Sequence, residues 1–80
     1  MAYEFKLESF GGEMEYATVV RWLKREGENV AKGDPLVEVE AEKANHEIES
    51  PVSGNVSSIL AEEGDEIKVG TVMAVIDEAS

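Results

Sequence analysis

Eighty residues allow one small domain with a modest buried core, near the size at which a single core becomes marginal. Seven basic residues stand against eighteen acidic ones, a formal net charge of −11. That charge argues against nucleic acid and anionic membrane surfaces as partners, because both repel it, and favours basic partner surfaces. There is no cysteine, hence no disulfide framework, thiolate nucleophile or cysteine-ligated zinc. No apolar run approaches the length of a membrane span, and the start, Met1 to Lys6, lacks the basic-then-apolar order of a secretion signal.

In chain order, Tyr3-Glu4-Phe5-Lys6-Leu7 alternates apolar and polar at period two and predicts a half-buried strand. Glu8 to Tyr16, with Gly11-Gly12 and further acids, reads as a loop. Ala17 to Arg25 is rich in β-formers, but its alternation slips at Val19-Val20 and again at Trp22-Leu23, which predicts a bulge or strong twist. Glu26 to Asn29 is a turn, Val30-Ala31 a short strand, Lys32 to Pro35 another turn, and Leu36 to Glu40 an alternating strand. His46, Ile48 and Val52 suggest a strand ending near Ser50-Pro51. Gly54 to Ala61 is the next, followed by turn residues at Glu63-Gly64-Asp65, Ile67, Lys68-Val69-Gly70, and a last strand from Val72 to Ile76. No window suits a helix. Short strands separated by frequent turn signals indicate an all-β sandwich or barrel.

An internal repeat sharpens this reading. A shift of 37 positions lays Glu26-Gly27-Glu28 on Glu63-Gly64-Asp65, Gly33 on Gly70, Val30 on Ile67, Val19 on Val56, Leu23 on Leu60 and Val39 on Ile76. The paired glycines suit turns that need positive φ. Each half therefore supplies the same strand–turn–short strand–turn–strand unit. The expected architecture is two four-stranded antiparallel sheets related by an approximate two-fold axis, forming a flattened barrel or sandwich. The shift carries Lys43 onto Ser80, so the turn bearing Lys43 and the C-terminus are expected at opposite ends of the domain.

Lys43 sits at a tight reversal between two strand-like runs, with Glu40, Glu42 and Glu47 around it. A lysine on a polar turn is usually a solvated surface charge, and the glutamates can equally be solubilising charges on edge strands. His46 has no nucleophile or carboxylate partner by motif and reads as a surface or packing residue. One histidine among scattered acids is weak evidence for a metal site. Trp22 and its repeat mate Ile59 read as packing residues. Gly11-Gly12 lacks the strand–helix context and lysine-serine ending of a phosphate loop.

The flanks and spacings of Lys43 carry a resemblance. Glu42-Lys43-Ala44 is an acid–lysine–small-residue turn. Gly27 lies sixteen positions before the lysine and Gly54 eleven after it. Val19-Val20-Arg21-Trp22 leads to Gly27-Glu28, and Glu49-Ser50-Pro51-Val52-Ser53-Gly54 follows the turn. Over residues 3 to 77, without a gap, the chain resembles a lipoyl domain of the biotinyl/lipoyl carrier family, as found in acyltransferase components of 2-oxo acid dehydrogenase complexes. The first loop departs from the family pattern: Leu7 to Glu13 lacks a proline and has a shifted glycine, and Ala17 stands where the family often has glycine.

The resemblance implies a single carrier domain over residues 1–80, a barrel-sandwich hybrid without an active site of its own. It implies lipoate in amide linkage to Lys43, with Glu42 and Ala44 as recognition flanks, and acyl groups and electrons moved on the resulting arm. It further implies, as partners, a lipoate ligase or lipoyl transferase, a thiamin-diphosphate-dependent 2-oxo acid (or acetoin-type) dehydrogenase and dihydrolipoamide dehydrogenase. An isolated domain is expected to be a monomer, cytoplasmic in a bacterium or archaeon and in the mitochondrial matrix of a eukaryote. Two other classes are weighed. A biotin carrier on the same fold ranks second, because biotin domains typically flank the lysine with methionines. An unmodified interaction module ranks third. An autonomous enzyme is disfavoured, since no nucleophile–base–orienter set is visible.

Overall fold

The computed structural model describes residues 1–9 and 14–78. Gly11-Gly12 and Ser80 lie outside the described residues. Eight strands follow in chain order: β1 (Ala2–Lys6), β2 (Tyr16–Trp22), β3 (Asn29–Val30), β4 (Pro35–Ala41), β5 (Ala44–Glu49), β6 (Gly54–Ile59), β7 (Glu66–Lys68) and β8 (Val72–Glu78). They form two four-stranded antiparallel sheets, ordered β1-β8-β6-β3 and β5-β4-β2-β7. Among the described residues no strand pair joins the sheets, so the barrel half of the expectation gives way to an open sandwich. Each sheet ends on one side in a strand of only two or three residues, too short to carry a ladder across to the other sheet.

The repeat holds at the level of strand register. β2, β3 and β4 correspond to β6, β7 and β8 at a shift of 37. β1 corresponds to β5 at a shift of 43: Tyr3 lies opposite Ile76 and His46 opposite Val39, and Ile76 and Val39 are repeat mates. Between equivalent residues, the stretch from Lys6 to Ala17 is therefore six residues longer than that from Glu49 to Gly54, the difference between the two shifts.

The broken alternation has its cause in paired bulges. β2 shifts register against β4 between Val19 and Arg21, and β6 shifts against β8 between Val56 and Ser58. The extra residue in each, Val20 or Ser57, is turned outward, which is why Val20 is 39% exposed while Val19 is buried. A second pair of bulges makes Leu36 and Met73 the extra residues of β4 and β8. There two consecutive residues, Leu36-Val37 and Met73-Ala74, are fully buried. Each bulged carbonyl is taken up by the strand end beside it: Leu23 N donates to Leu36 O (2.9 Å) and Leu60 N to Met73 O (2.8 Å). Both bonds continue the ladder in register, one residue past Trp22 opposite Val37 and Ile59 opposite Ala74, and β2 and β6 end there rather than running on to Arg25 and Ala61.

The core lies between the sheets, built on Val19, Leu36, Val37 and Val39 from one half and Val56, Met73, Ala74 and Ile76 from the other, with Leu7 and Phe5. Trp22 packs at its flank and donates from Nε1 to Ala61 O (2.7 Å), in keeping with a packing role. Ser50 is the only buried polar side chain among the described residues. Its hydroxyl donates to Val52 O (2.6 Å) and its backbone ties down the turn at Asp34 (Ser50 N to Asp34 O, 2.8 Å). Ser50→Ala strands the Val52 carbonyl and is expected to cost about 1–2 kcal/mol, read as a lowered urea midpoint at unchanged m-value.

Candidate functional site

Strands β4 and β5 pair continuously up to Ala41 opposite Ala44, which leaves Glu42-Lys43 as a two-residue loop. Both residues have positive φ, 53° and 65°. That is the type I′ turn, whose twist matches that of the strands it joins. Asparagine and glycine are the usual occupants. A glutamate and a lysine each pay roughly 1 kcal/mol or more for the left-handed region, which the surrounding ladder must offset. Glu42→Asn is therefore expected to raise the unfolding midpoint by roughly 2–4 °C, measurable by thermal denaturation.

Glu42, Lys43 and Ala44 are all exposed. Among the described residues Lys43 makes no hydrogen bond or ion pair. Its stem borders an open groove of about 290 Å³ that also takes in Tyr16, Thr18, Glu40, Glu42 and Glu66. Glu40 and Glu42 thus stand beside the lysine. Glu47 does not: it points outward further along β5, opposite Glu38. His46 lies opposite Val39 on the core side of the same strand and is half-buried, consistent with a packing residue. Tyr16, Thr18 and Glu66 join the site from β2 and β7. Nothing in the local sequence marks them, because they arrive by lateral pairing: Thr18 lies opposite both Glu40 and Glu66.

The turn also stands at the far end of the molecule from the described chain ends. Glu78 N donates to Met1 O (2.7 Å) and the Met1 ammonium lies 3.3 Å from Asp77 Oδ1. Glu78 borders a groove with Asp34 and Ala31, at the start of β4, whereas Lys43 follows its end. Seven residues of strand, about 20 Å, separate the two, on a long axis of 36 Å. An exposed primary amine without an internal partner, raised on a rigid hairpin, can be acylated by an enzyme that closes around it.

Comparison with known proteins agrees. The family model described as "Biotin-requiring enzyme" matches residues 3–76. The chain is 41% identical over 78 residues to the dihydrolipoyllysine-residue acetyltransferase component of the pyruvate dehydrogenase complex of Acholeplasma laidlawii, covering 98% of this chain and 14% of that protein. It is 38% identical over 77 residues to the dihydrolipoyllysine-residue succinyltransferase component of the 2-oxoglutarate dehydrogenase complex of Bartonella vinsonii subsp. berkhoffii, covering 96% of this chain and 19% of that protein. The chain thus spans less than a fifth of the length of these relatives. Its fold matches the solution structure of the lipoyl domain of the 2-oxoglutarate dehydrogenase complex from Azotobacter vinelandii with a TM-score of 0.79 and 26% identity, over 96% of this chain and 98% of that one. Lipoyl domains carry lipoate covalently on a lysine, and both the relatives and the solved structure favour lipoate over biotin. The chain belongs to the biotinyl/lipoyl carrier family, as a lipoyl domain.

Proposed function

We propose that Lys43 is the attachment point for lipoate and that the domain serves as a carrier in a 2-oxo acid dehydrogenase complex. The observation that carries this reading is the placement of Lys43: an exposed amine with no partner among the described residues, in a two-residue turn at the far end of the molecule from Met1 and Glu78. Once deprotonated, that amine attacks the carbonyl carbon of an activated lipoate such as its acyl adenylate; the bond to the activating group breaks, AMP leaves, and the amine gives up its remaining extra proton as the amide forms. The lysine charge is lost in that step, and Glu40, Glu42 and Glu66 remain as the acidic surround of the tip. Bound lipoate supplies a dithiolane able to accept an acyl group and two electrons and pass them on; the protein contributes placement and recognition. Tethering raises the arm's local concentration at successive active sites, as a linker does for a second binding event.

The proposed partners are a lipoate ligase or lipoyl transferase, a thiamin-diphosphate-dependent dehydrogenase and dihydrolipoamide dehydrogenase. Glu42 and Ala44, flanking the lysine in the turn, are the proposed recognition residues. The domain is proposed to be a monomeric unit of residues 1–80 working in the cytoplasm of a bacterium or archaeon, or in the mitochondrial matrix of a eukaryote. Its relatives serve both pyruvate and 2-oxoglutarate complexes at similar identity, so no single 2-oxo acid is preferred.

The test is intact-mass measurement after incubation with ATP and either lipoate and a lipoate ligase or biotin and a biotin ligase, followed by peptide mapping. A single lipoyl adduct on Lys43 is expected. A biotin adduct without a lipoyl adduct, or an adduct on another lysine, overturns the reading.

A further inference from the structure

We propose that Glu38 is a positioning residue for the Lys43 turn, acting through Asn45 and anchored by Arg21; the inference rests on the reading of Lys43 as the modified residue. Glu38 lies on the outer face of β4, in the middle of its sheet, with its side chain only 15% exposed. One carboxylate oxygen accepts from Arg21 Nε on β2 (2.8 Å), and the other accepts from Asn45 Nδ2 on β5 (3.0 Å). A single carboxylate therefore cross-braces three strands. Asn45 is two residues past Lys43 and sits opposite Glu40. The bond to Glu38 thus runs diagonally back down the sheet from the hairpin tip.

The tip has reason to need such a brace. Its two turn residues both hold left-handed conformations that neither favours. β5 is an edge strand, paired among the described residues with β4 alone, so one of its sides has no neighbouring strand to hold it. Hydrogen bonds to a charged group are the stronger kind.

The quasi-symmetry supplies an internal comparison. In the other sheet the positions of Arg21, Glu38 and Asn45 are taken by Ser58, Val75 and Ala2. Backbone register and bulge are the same there, so the fold forms without the network. At that end, among the described residues, Met1 and Glu78 lie side by side and are not joined by a two-residue turn. The network also stands where it costs something: Glu38 lies directly opposite Glu47, a like-charge pair that disfavours the ladder. The three side chains therefore serve the turn rather than the sandwich.

The test compares the 80-residue chain with two variants: Asn45→Ala, and the triple variant Arg21→Ser/Glu38→Val/Asn45→Ala, which copies the outer face of the other sheet. Amide exchange and lipoate-ligase kinetics are read on each. Exchange at Ala44 and His46, whose amides face β4 on either side of Asn45, is expected to rise about tenfold, while Val19 and Val56, bonded to Asp65 and Glu28, keep wild-type protection. If the ligase takes only chains with a formed turn, KM is expected to rise about twofold or less, in proportion to the loss of formed turns, with kcat unchanged. Wild-type exchange at the tip and wild-type KM in both variants overturn the proposal. So does faster exchange spread evenly over both sheets, which marks a general brace. If the unaltered chain accepts no lipoyl group, the reading of Lys43 fails, and the exchange measurement alone decides whether Glu38 positions the turn.

Discussion

Replacing Lys43 by arginine is expected to abolish the lipoyl adduct while leaving the unfolding midpoint within about 2 °C of the parent. The two halves of this expectation have separate causes. A guanidinium stays protonated at any working pH and offers no free amine lone pair, so amide formation stops. The side chain is exposed and makes no hydrogen bond or ion pair among the described residues, so its replacement removes no packing. Arginine also occupies the same left-handed backbone position at similar cost, so the turn is not further strained. A fall of many degrees would show Lys43 to be structural. An undiminished adduct would place modification on another lysine, and peptide mapping would say which.

The second large effect is expected at Gly54. This residue opens β6 and pairs with Glu78 on β8. An added Cβ would overlap the backbone carbonyl of Asp77, and backbone in the middle of a sheet cannot step aside as a flexible side chain can. Gly54→Ala must therefore spread β6 from β8 in the centre of its sheet. The loss is expected to be about 2–4 kcal/mol, in the tail of single-residue effects. For a chain of this size total stability is roughly 4–12 kcal/mol, so the midpoint should fall by roughly 10 °C or more. The repeat provides the control. Ala17, the mate of Gly54, carries its methyl buried in β2 at 3% exposure, and Ala17→Gly should cost only about 1 kcal/mol. An unchanged urea midpoint for Gly54→Ala would mean that the two strands do not approach so closely.

Much of the architecture could be read from the chain. Glycines spaced 37 apart marked four turns that all have positive φ. The slip at Val19-Val20 marked a real bulge, because a bulge leaves two neighbouring apolar residues where alternation allows one. The apparent second slip, at Trp22-Leu23, was the end of β2, where the ladder closes on the bond from Leu23 N to Leu36 O. The place of β1 in the repeat was hidden, because the longer connection after it changes the shift from 37 to 43. Among residues around the lysine, Glu40 and Glu42 were legible as sequence neighbours. Glu47 was close in sequence yet lies away from the tip, since successive residues of a strand climb along the sheet.

From its own order of residues, then, the chain determined an all-β sandwich made of two similar halves, with Lys43 on a turn between strands. These are properties of alternation, turn chemistry and spacing, each recorded within a few residues or in a direct repeat. Only the tertiary structure decided that the sheets stay open, that Glu66 and Thr18 come to stand beside Lys43, that a Cβ has no room at Gly54, and that Glu38 ties Arg21 to Asn45 below the turn. Each of these depends on which strands lie side by side and in what register. Lateral pairing is set by closing the whole sandwich around its core, and no local pattern along the chain records it.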